Sequence, residues 1–296
     1  MRDEYEVLRK KCKILIDNNL QTDNFLNIKA FRDFHRDMLR IKGLKFYRYY
    51  SPTEFSFNSL KYDTLGCRNP KYFNDIYEGM ISSKDGYSQS IVKPIIEKAC
   101  DSVSIVCFSE VWDNLLMYAH YADSFRGFCV EYNLEFMAKY VPLTYLFPVL
   151  YQNRPSKLAR ITELSEQVDR VSNALTNGKL NLLKIDDLVS YFIHKSDIWE
   201  YEKEWRFIIP LSQFWNYFQY KGANNNDNNG FHDIKNFDCI SAVYLGANAS
   251  EDTKNTIKEI ILDKNDKRNR SMRPAILVFE THIKDSSYSL ERDQII

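Results

Sequence analysis

The run from Lys195 to Pro210 constrains the fold more than any other, because it drives three closely spaced glutamates, Glu200, Glu202 and Glu204, straight into an apolar strand. A carboxylate placed against a core is costly unless a cation or a hydrogen-bond donor meets it. Read as extended from Glu202, period-two alternation puts Glu202, Glu204 and Arg206 on one face and Lys203, Trp205, Phe207 and Ile209 on the other. The second face suits a core. The first lines a cleft, or else it meets solvent with Glu204 and Arg206 as a surface ion pair, which contributes little.

The rest of the chain supplies a frame for such a strand. Phe31, Phe34, Met38 and Ile41 fall at helical spacing, so residues 1–44 are expected to be a helical segment. Strands are expected at 45–50, 102–109, 127–132, 145–151, 239–245 and 275–282, with Pro148 favouring an edge or a bulge. Helices are expected over 112–123 and 250–262, the latter acidic in its first turn. Between 155 and 193 Leu158, Ile161, Leu164, Val168, Val171 and Leu175 recur three or four apart, which predicts a helical insertion. Residues 222–230, almost entirely Asn, Asp and Gly, read as a loop. Strands outnumber any regular strand-helix alternation. The expectation is therefore an α+β fold with a mixed or mostly antiparallel sheet, and a single domain over 45–296 that follows the N-terminal helices.

Composition narrows the function classes. The 296 residues carry 40 basic and 40 acidic side chains, so no global basic field gathers nucleic acid or an anionic membrane. The six cysteines, at 12, 67, 100, 107, 129 and 239, include no Cys-x-x-Cys pair and suggest neither a zinc ribbon nor a disulfide framework. No apolar run approaches a bilayer span and no signal-peptide core opens the chain, which points to a cytoplasmic protein with no membrane partner. The five histidines lack metal-ligand spacing, so no structural metal is expected. Nine glycines form neither a Walker loop nor a Gly-x-Gly-x-x-Gly turn, which disfavours nucleotide kinases and Rossmann dehydrogenases.

Several segments form an ordered set: Tyr47-Arg48, Phe73 to Glu78, Cys107 to Glu110, Met117 to Asp123 with Arg126 to Cys129, Trp199 to Arg206, and Leu245-Gly246. Together they resemble the bacterial family called domain of unknown function 2971, over roughly residues 45–246. The chain departs from that family at Ile76, where proline is usual, and at Tyr118 and Phe125, where Trp and a second His are usual. The family name implies no activity.

Arg48, Ser109 and the pair Glu202 and Glu204 also resemble, in the same chain order, the Arg-Ser-Glu set of ADP-ribosyltransferases. That resemblance implies an NAD-using effector of the toxin or phage-defence type, acting on a macromolecular acceptor, protein or nucleic acid. Breaking the nicotinamide glycosidic bond builds positive charge on the ribose, which a carboxylate stabilises. Glu204 would take that role, Glu202 would orient or deprotonate the acceptor, and Arg48 would hold the pyrophosphate with its planar guanidinium. Ser109 would support the glutamate, while Tyr118, Tyr121 or Trp112 would stack on nicotinamide. His120 is a candidate acid or base that Asp123 would orient.

Plainer roles compete. Arg48 also reads as the partner of an acidic strand neighbour, Ser109 as the cap of the next helix, and His120 as a structural histidine bonded to a carbonyl. Asn74 and Asp75 read as turn formers, or with Glu78 as cleft residues. Two other functions stay open: a metal-dependent nuclease or phosphodiesterase with Asp113, Glu131, Glu202 and Glu204 as Mg²⁺ ligands, and a sensing or binding module without turnover.

Overall fold

The computed structural model describes residues 2–21, 28–75, 81–83, 100–101, 103–140, 146–153, 156–158, 192–210, 218–219, 231–234 and 237–296. In chain order these form α1 (Arg2–Gln21), α2 (Ile28–Arg40), β1 (Lys45–Tyr50), α3 (Glu54–Lys61), β2 (Leu65–Arg68), β3 (Ile81–Ser83), β4 (Val103–Ser109) and α4 (Leu115–Tyr121). There follow β5 (Phe128–Asn133), α5 (Leu134–Tyr140), β6 (Leu146–Pro148), β7 (Leu150–Gln152), β8 (Ser156–Leu158), β9 (His194–Ser196), β10 (Glu204–Pro210), β11 (Phe218–Gln219) and β12 (Phe231–Ile234). The chain ends with β13 (Ile240–Leu245), α6 (Glu251–Arg270), β14 (Leu277–Ile283) and β15 (Leu290–Gln294).

The fold is α+β. Eleven of the described strands make one mixed sheet in which every pairing is antiparallel except β13 with β14. Strand β4 is its hub. One edge of β4 pairs with β10 along its whole length, from Ser109↔Glu204 to Val103↔Pro210. The other edge is shared: β1 meets it only at Tyr47↔Ser109, and β2 only at Arg68↔Ile105. Ser109 and Ile105 lie roughly 13 Å apart along the strand, so β1 and β2 diverge there and leave a gap in the sheet.

The N-terminal helices cover one face. Tyr5, Leu8, Cys12 and Ile16 recur at helical spacing and are all buried, and the Tyr5 ring stands edge-on to Phe46 and Trp205 at 6.0 and 6.2 Å. Arg9 donates to the Val149 carbonyl and to Glu110, which also accepts from Trp205 Nε1 at 2.7 Å. The helix is thereby tied to the loop after β4 and to β10. Phe34 and Met38 are buried as their spacing predicts, while the side chain of Phe31 lies outside the described residues.

Several boundaries differ from expectation. The region 145–151 is split at Val149, whose N–H turns to the Glu204 carbonyl at 2.9 Å. Pro148 lies in β6, which pairs with β10, in keeping with the edge position a proline requires. Leu158 belongs to β8, a strand parallel to β3, rather than to a helix. The remainder of the predicted insertion, 159–191, and the loop at 222–230 fall outside the described residues. The helix expected over 250–262 continues to Arg270.

A left-handed turn explains one of the family-like motifs. Asp123, Ser124 and Phe125 have φ of 49°, 53° and 69° in succession, a conformation that costs roughly 1–2 kcal/mol per residue. Close packing holds it. Phe125 stacks on Tyr118 at 5.5 Å, and a Cβ on Gly127 would lie 2.0 Å from the Tyr50 carbonyl oxygen. A Cβ on Gly246 would lie 2.2 Å from the Phe125 carbonyl oxygen. Both glycines are therefore demanded by close backbone approach.

Candidate functional site

Trp205 and Phe207 face the core, while Glu204 and Arg206 share the opposite face with Ser109 and Cys107 of β4. The extended chain begins only at Glu204, however. Asp197–Glu202 is a 3₁₀ turn, and Lys203 follows it with φ of 47°. Lys203 therefore leaves the apolar face and pairs with Glu200 at 3.0 Å. The turn nonetheless brings Glu202 next to Glu204.

These acids have partners, and they are not on the surface. Glu202, Glu204 and Arg206 are 3%, 4% and 1% exposed. Arg206 clasps both oxygens of Glu204, Nε to Oε1 at 2.8 Å and Nη2 to Oε2 at 3.1 Å, and its Nη1 donates to the Phe192 carbonyl at 2.6 Å. Lys195 Nζ, from β9, bridges Glu202 Oε2 at 2.6 Å and Glu204 Oε2 at 3.1 Å. Tyr121 of α4 donates its hydroxyl to Glu202 Oε1 at 2.6 Å. Burial pushes the Glu204 carboxyl up, but Arg206 and Lys195 outweigh it and hold the group well below the usual carboxylate range. Glu202 is the opposite case: burial, and then the charge of Glu204, raise it above its ordinary 4.5 against the pull of Lys195 and Tyr121. One carboxylate is thus a fixed anion and its neighbour a titrating group.

A cavity of about 260 Å³ opens over this network, at the gap between β1 and β2. Arg48, Ser109, Tyr121, Glu202 and Glu204 all line it, as do Arg68, Phe73, Asn74, Asp75, Lys195, Trp199 and Arg206. Arg48 Nη1 reaches across the gap to the Gly66 carbonyl at 2.5 Å, and its guanidinium lies 5.2 Å from the centre of the Tyr50 ring. Among the described residues it has no carboxylate partner. The acidic strand neighbour expected as a competitor for Arg48 is therefore not what holds it.

Ser109 lines the cavity in neither of its expected roles. Its Oγ donates to the Glu202 backbone carbonyl at 2.7 Å and accepts from the Val111 N–H at 3.3 Å. It thus fixes the turn that carries Glu202 rather than the Glu204 carboxylate. The helix cap is Asn114, whose Oδ1 accepts from the N–H groups of Leu116 and Met117 and whose Nδ2 donates to the Tyr201 carbonyl at 2.6 Å. Asn114→Ala is expected to cost about 1–2 kcal/mol by chemical denaturation and to loosen Tyr121 and Glu202 together.

Three of the residues singled out in the sequence lie away from the cavity. Tyr118 is fully buried, edge-on to Tyr49 at 5.0 Å, and has no face for a ligand. Trp112 is stacked on Tyr244 at 4.7 Å beneath the Arg292 guanidinium. His120 is exposed on α4 beside the Tyr201 ring, and Asp123 binds Arg126 at 2.9 and 2.8 Å instead of orienting it. None of the three lines the cavity. Lys195 is a site residue that the sequence does not announce, because it is brought to Glu202 by the pairing of β9 with β7 and not by any local periodicity.

The proposed Mg²⁺ ligands are likewise separated. Glu131 accepts from Lys45, Ser241 and Tyr244, each at 2.7 Å, and from Tyr47 at 3.2 Å. Burial raises its carboxyl, but Lys45, Tyr244 and Ser241 together hold it below the usual range. Neither it nor Asp113 lines the cavity. Glu202 and Glu204 already share an ammonium where a divalent ion would have to sit. Among the described residues no three His, Cys, Asp or Glu side chains form a metal-ligating cluster.

The fold and site define an α+β protein with a charged, aromatic cleft at a split in its sheet. Residues 117–207, from within α4 to within β10, match the model of the family described as "Protein of unknown function (DUF2971)". No curated protein and no solved structure matches the chain.

Proposed function

We propose that the cavity is the active site of an ADP-ribosyltransferase-like enzyme that uses NAD. One observation carries the reading: Arg48, Ser109, Glu202 and Glu204, singled out by chain order, all line one cavity at the divergence of β1 from β4. In the reaction the bond between ribose C1′ and the nicotinamide nitrogen breaks, and its electron pair leaves with nicotinamide. A nucleophilic atom of the acceptor bonds to C1′ and gives its proton to Glu202.

The geometry supports a division of labour. Glu202 is the better base because it titrates, whereas Glu204 stays charged, disfavours a second anion beside it and so raises its neighbour's affinity for a proton. Arg48, without an acidic partner among the described residues, is suited to the pyrophosphate. Phe73 and Trp199 offer the aromatic faces that Tyr118 and Trp112 do not. Six free cysteines suit a reducing compartment, which supports a cytoplasmic enzyme. The effector role, of the toxin or phage-defence type with a macromolecular acceptor, rests on the resemblance of Arg48, Ser109, Glu202 and Glu204 to the transferase set. Among the described residues no helix is long and apolar enough to cross a membrane.

The test is incubation with NAD, with nicotinamide release and ADP-ribose binding as readouts. Activity should rise with pH as Glu202 loses its proton, over a window above the ordinary 4.5 of a glutamate, and Glu202→Gln should lack that rising limb. A second reading, binding without turnover, is favoured by the full neutralisation of Glu204 by Arg206 and Lys195. ADP-ribose binding without any nicotinamide release would support it.

A further inference from the structure

Glu202 and Glu204 share a single ammonium, and the sharing is unequal. Arg206 spends Nε and Nη2 on Glu204 and Nη1 on the Phe192 carbonyl. Lys195 is a cation that meets Glu202, with Nζ 2.6 Å from its Oε2. Its side chain is 7% exposed, and Nζ lies 5.0 Å from the centre of the Trp199 ring. The strand that carries it, β9, is fixed in register with β7 by the pairs Leu150↔His194, Tyr151↔Lys195 and Gln152↔Ser196. Tyr151 in turn accepts the Glu204 N–H at 2.8 Å, so the ammonium and both carboxylates are held by one hydrogen-bonded frame.

The groups facing Glu202 come from each element around it. Tyr121 comes from α4, Tyr201 from its own turn, Glu204 with Arg206 behind it from β10, and Lys195 from β9. Of the described residues that bond directly to its carboxylate, Tyr121 brings no charge and Lys195 brings a full one.

We propose that Lys195 is a positioning residue for Glu202: its ammonium holds the carboxylate ionised and turned toward Tyr121 inside a cavity wall that would otherwise favour the neutral acid. As a contribution to catalysis this rests on the reading of the cavity as an NAD-using site. As a statement about Glu202 it stands or falls alone. An ammonium 2.6 Å from a carboxylate is close enough to govern its ionisation, since an opposite charge at 4–6 Å already displaces a carboxyl titration by about 1–3 pH units. Lys195→Met keeps a side chain of similar length and removes the ammonium together with its hydrogen bonds to Glu202 and Glu204.

The experiment follows the Glu202 carboxyl by ¹³C NMR through a pH titration in the wild type, Lys195→Met and Lys195→Arg, with thermal melting as the check on folding. Lys195→Met should move the titration upward by about 1–3 pH units, and Lys195→Arg should return most of it. Nicotinamide release, measured on the same proteins, should show its rising limb displaced by the same interval. A Glu202 titration unchanged in folded Lys195→Met overturns the proposal. If Lys195→Met does not fold, Lys195→Gln decides by the same criterion. A displaced titration in proteins that release no nicotinamide retains the control of Glu202 by Lys195 and removes the NAD reading instead.

Discussion

Arg206→Met is expected to lower the stability of the protein by about 3–5 kcal/mol, the range for breaking one side of a buried ion pair. The loss follows from what is left behind. Glu204, 4% exposed, would keep one cation, Lys195, which it already shares with Glu202. The Phe192 carbonyl would lose its donor, and the Phe73 ring would lose the guanidinium 5.3 Å from its centre. Glu204→Leu alone should be comparably damaging, because it takes from the buried Arg206 guanidinium the carboxylate that meets its Nε and Nη2. The double variant Glu204→Leu with Arg206→Met should cost clearly less than the sum, since an apolar pair removes both desolvation penalties together. Urea unfolding of the four proteins in a double-mutant cycle checks this. Losses below about 1 kcal/mol for each single variant would mean that the pair behaves as an exposed one.

Glu202→Gln is expected to slow nicotinamide release by about 10²–10⁴-fold, the usual contribution of a positioned acid or base, while the protein stays folded. The two halves of that statement have separate origins. Gln retains an oxygen for the Tyr121 hydroxyl, and Lys195 retains Glu204, so no charge is stranded. The proton acceptor is nonetheless gone. Glu204→Gln makes the contrast, because it removes the anion that Arg206 and Lys195 both neutralise. It should reduce stability and activity together, which makes Glu202 the cleaner probe of chemistry. Thermal melting beside the rate measurement separates the two effects.

The parts of this arrangement that are legible in the sequence are those with a period. Glu204 and Arg206 alternate with Trp205 and Phe207, and the strand obeys that pattern. The apolar runs of β4, β5 and β13 are equally plain, and with them the α+β class. Local departures from regular geometry are not. The left-handed Lys203 turns Glu202 out of the strand, yet nothing in its residue type announces φ > 0. Helix α6 outruns its apolar stripe for a related reason. Past Leu262 its buried positions are Lys264 and Arg268, which are charged and are held inward by Asp63 and Asp238.

Long-range partnerships are the least legible. Lys195 finds its two glutamates because β9 pairs with β7, a parallel pairing with no local turn signal. Aromatic residues give composition but no address: Tyr118 and Trp112 pack against other rings of the core and do not line the cavity. Strand β15 carries no apolar alternation, because Glu291, Arg292 and Asp293 are exposed and polar, as an edge strand often is.

The decisive measurement is nicotinamide release from NAD by the wild type and by folded Glu202→Gln, side by side with a candidate acceptor extract present. The wild type should release nicotinamide, and release should fall by at least about 10²-fold in the variant. Equal release by the two proteins, or ADP-ribose binding by the wild type with no release under any acceptor, would contradict it.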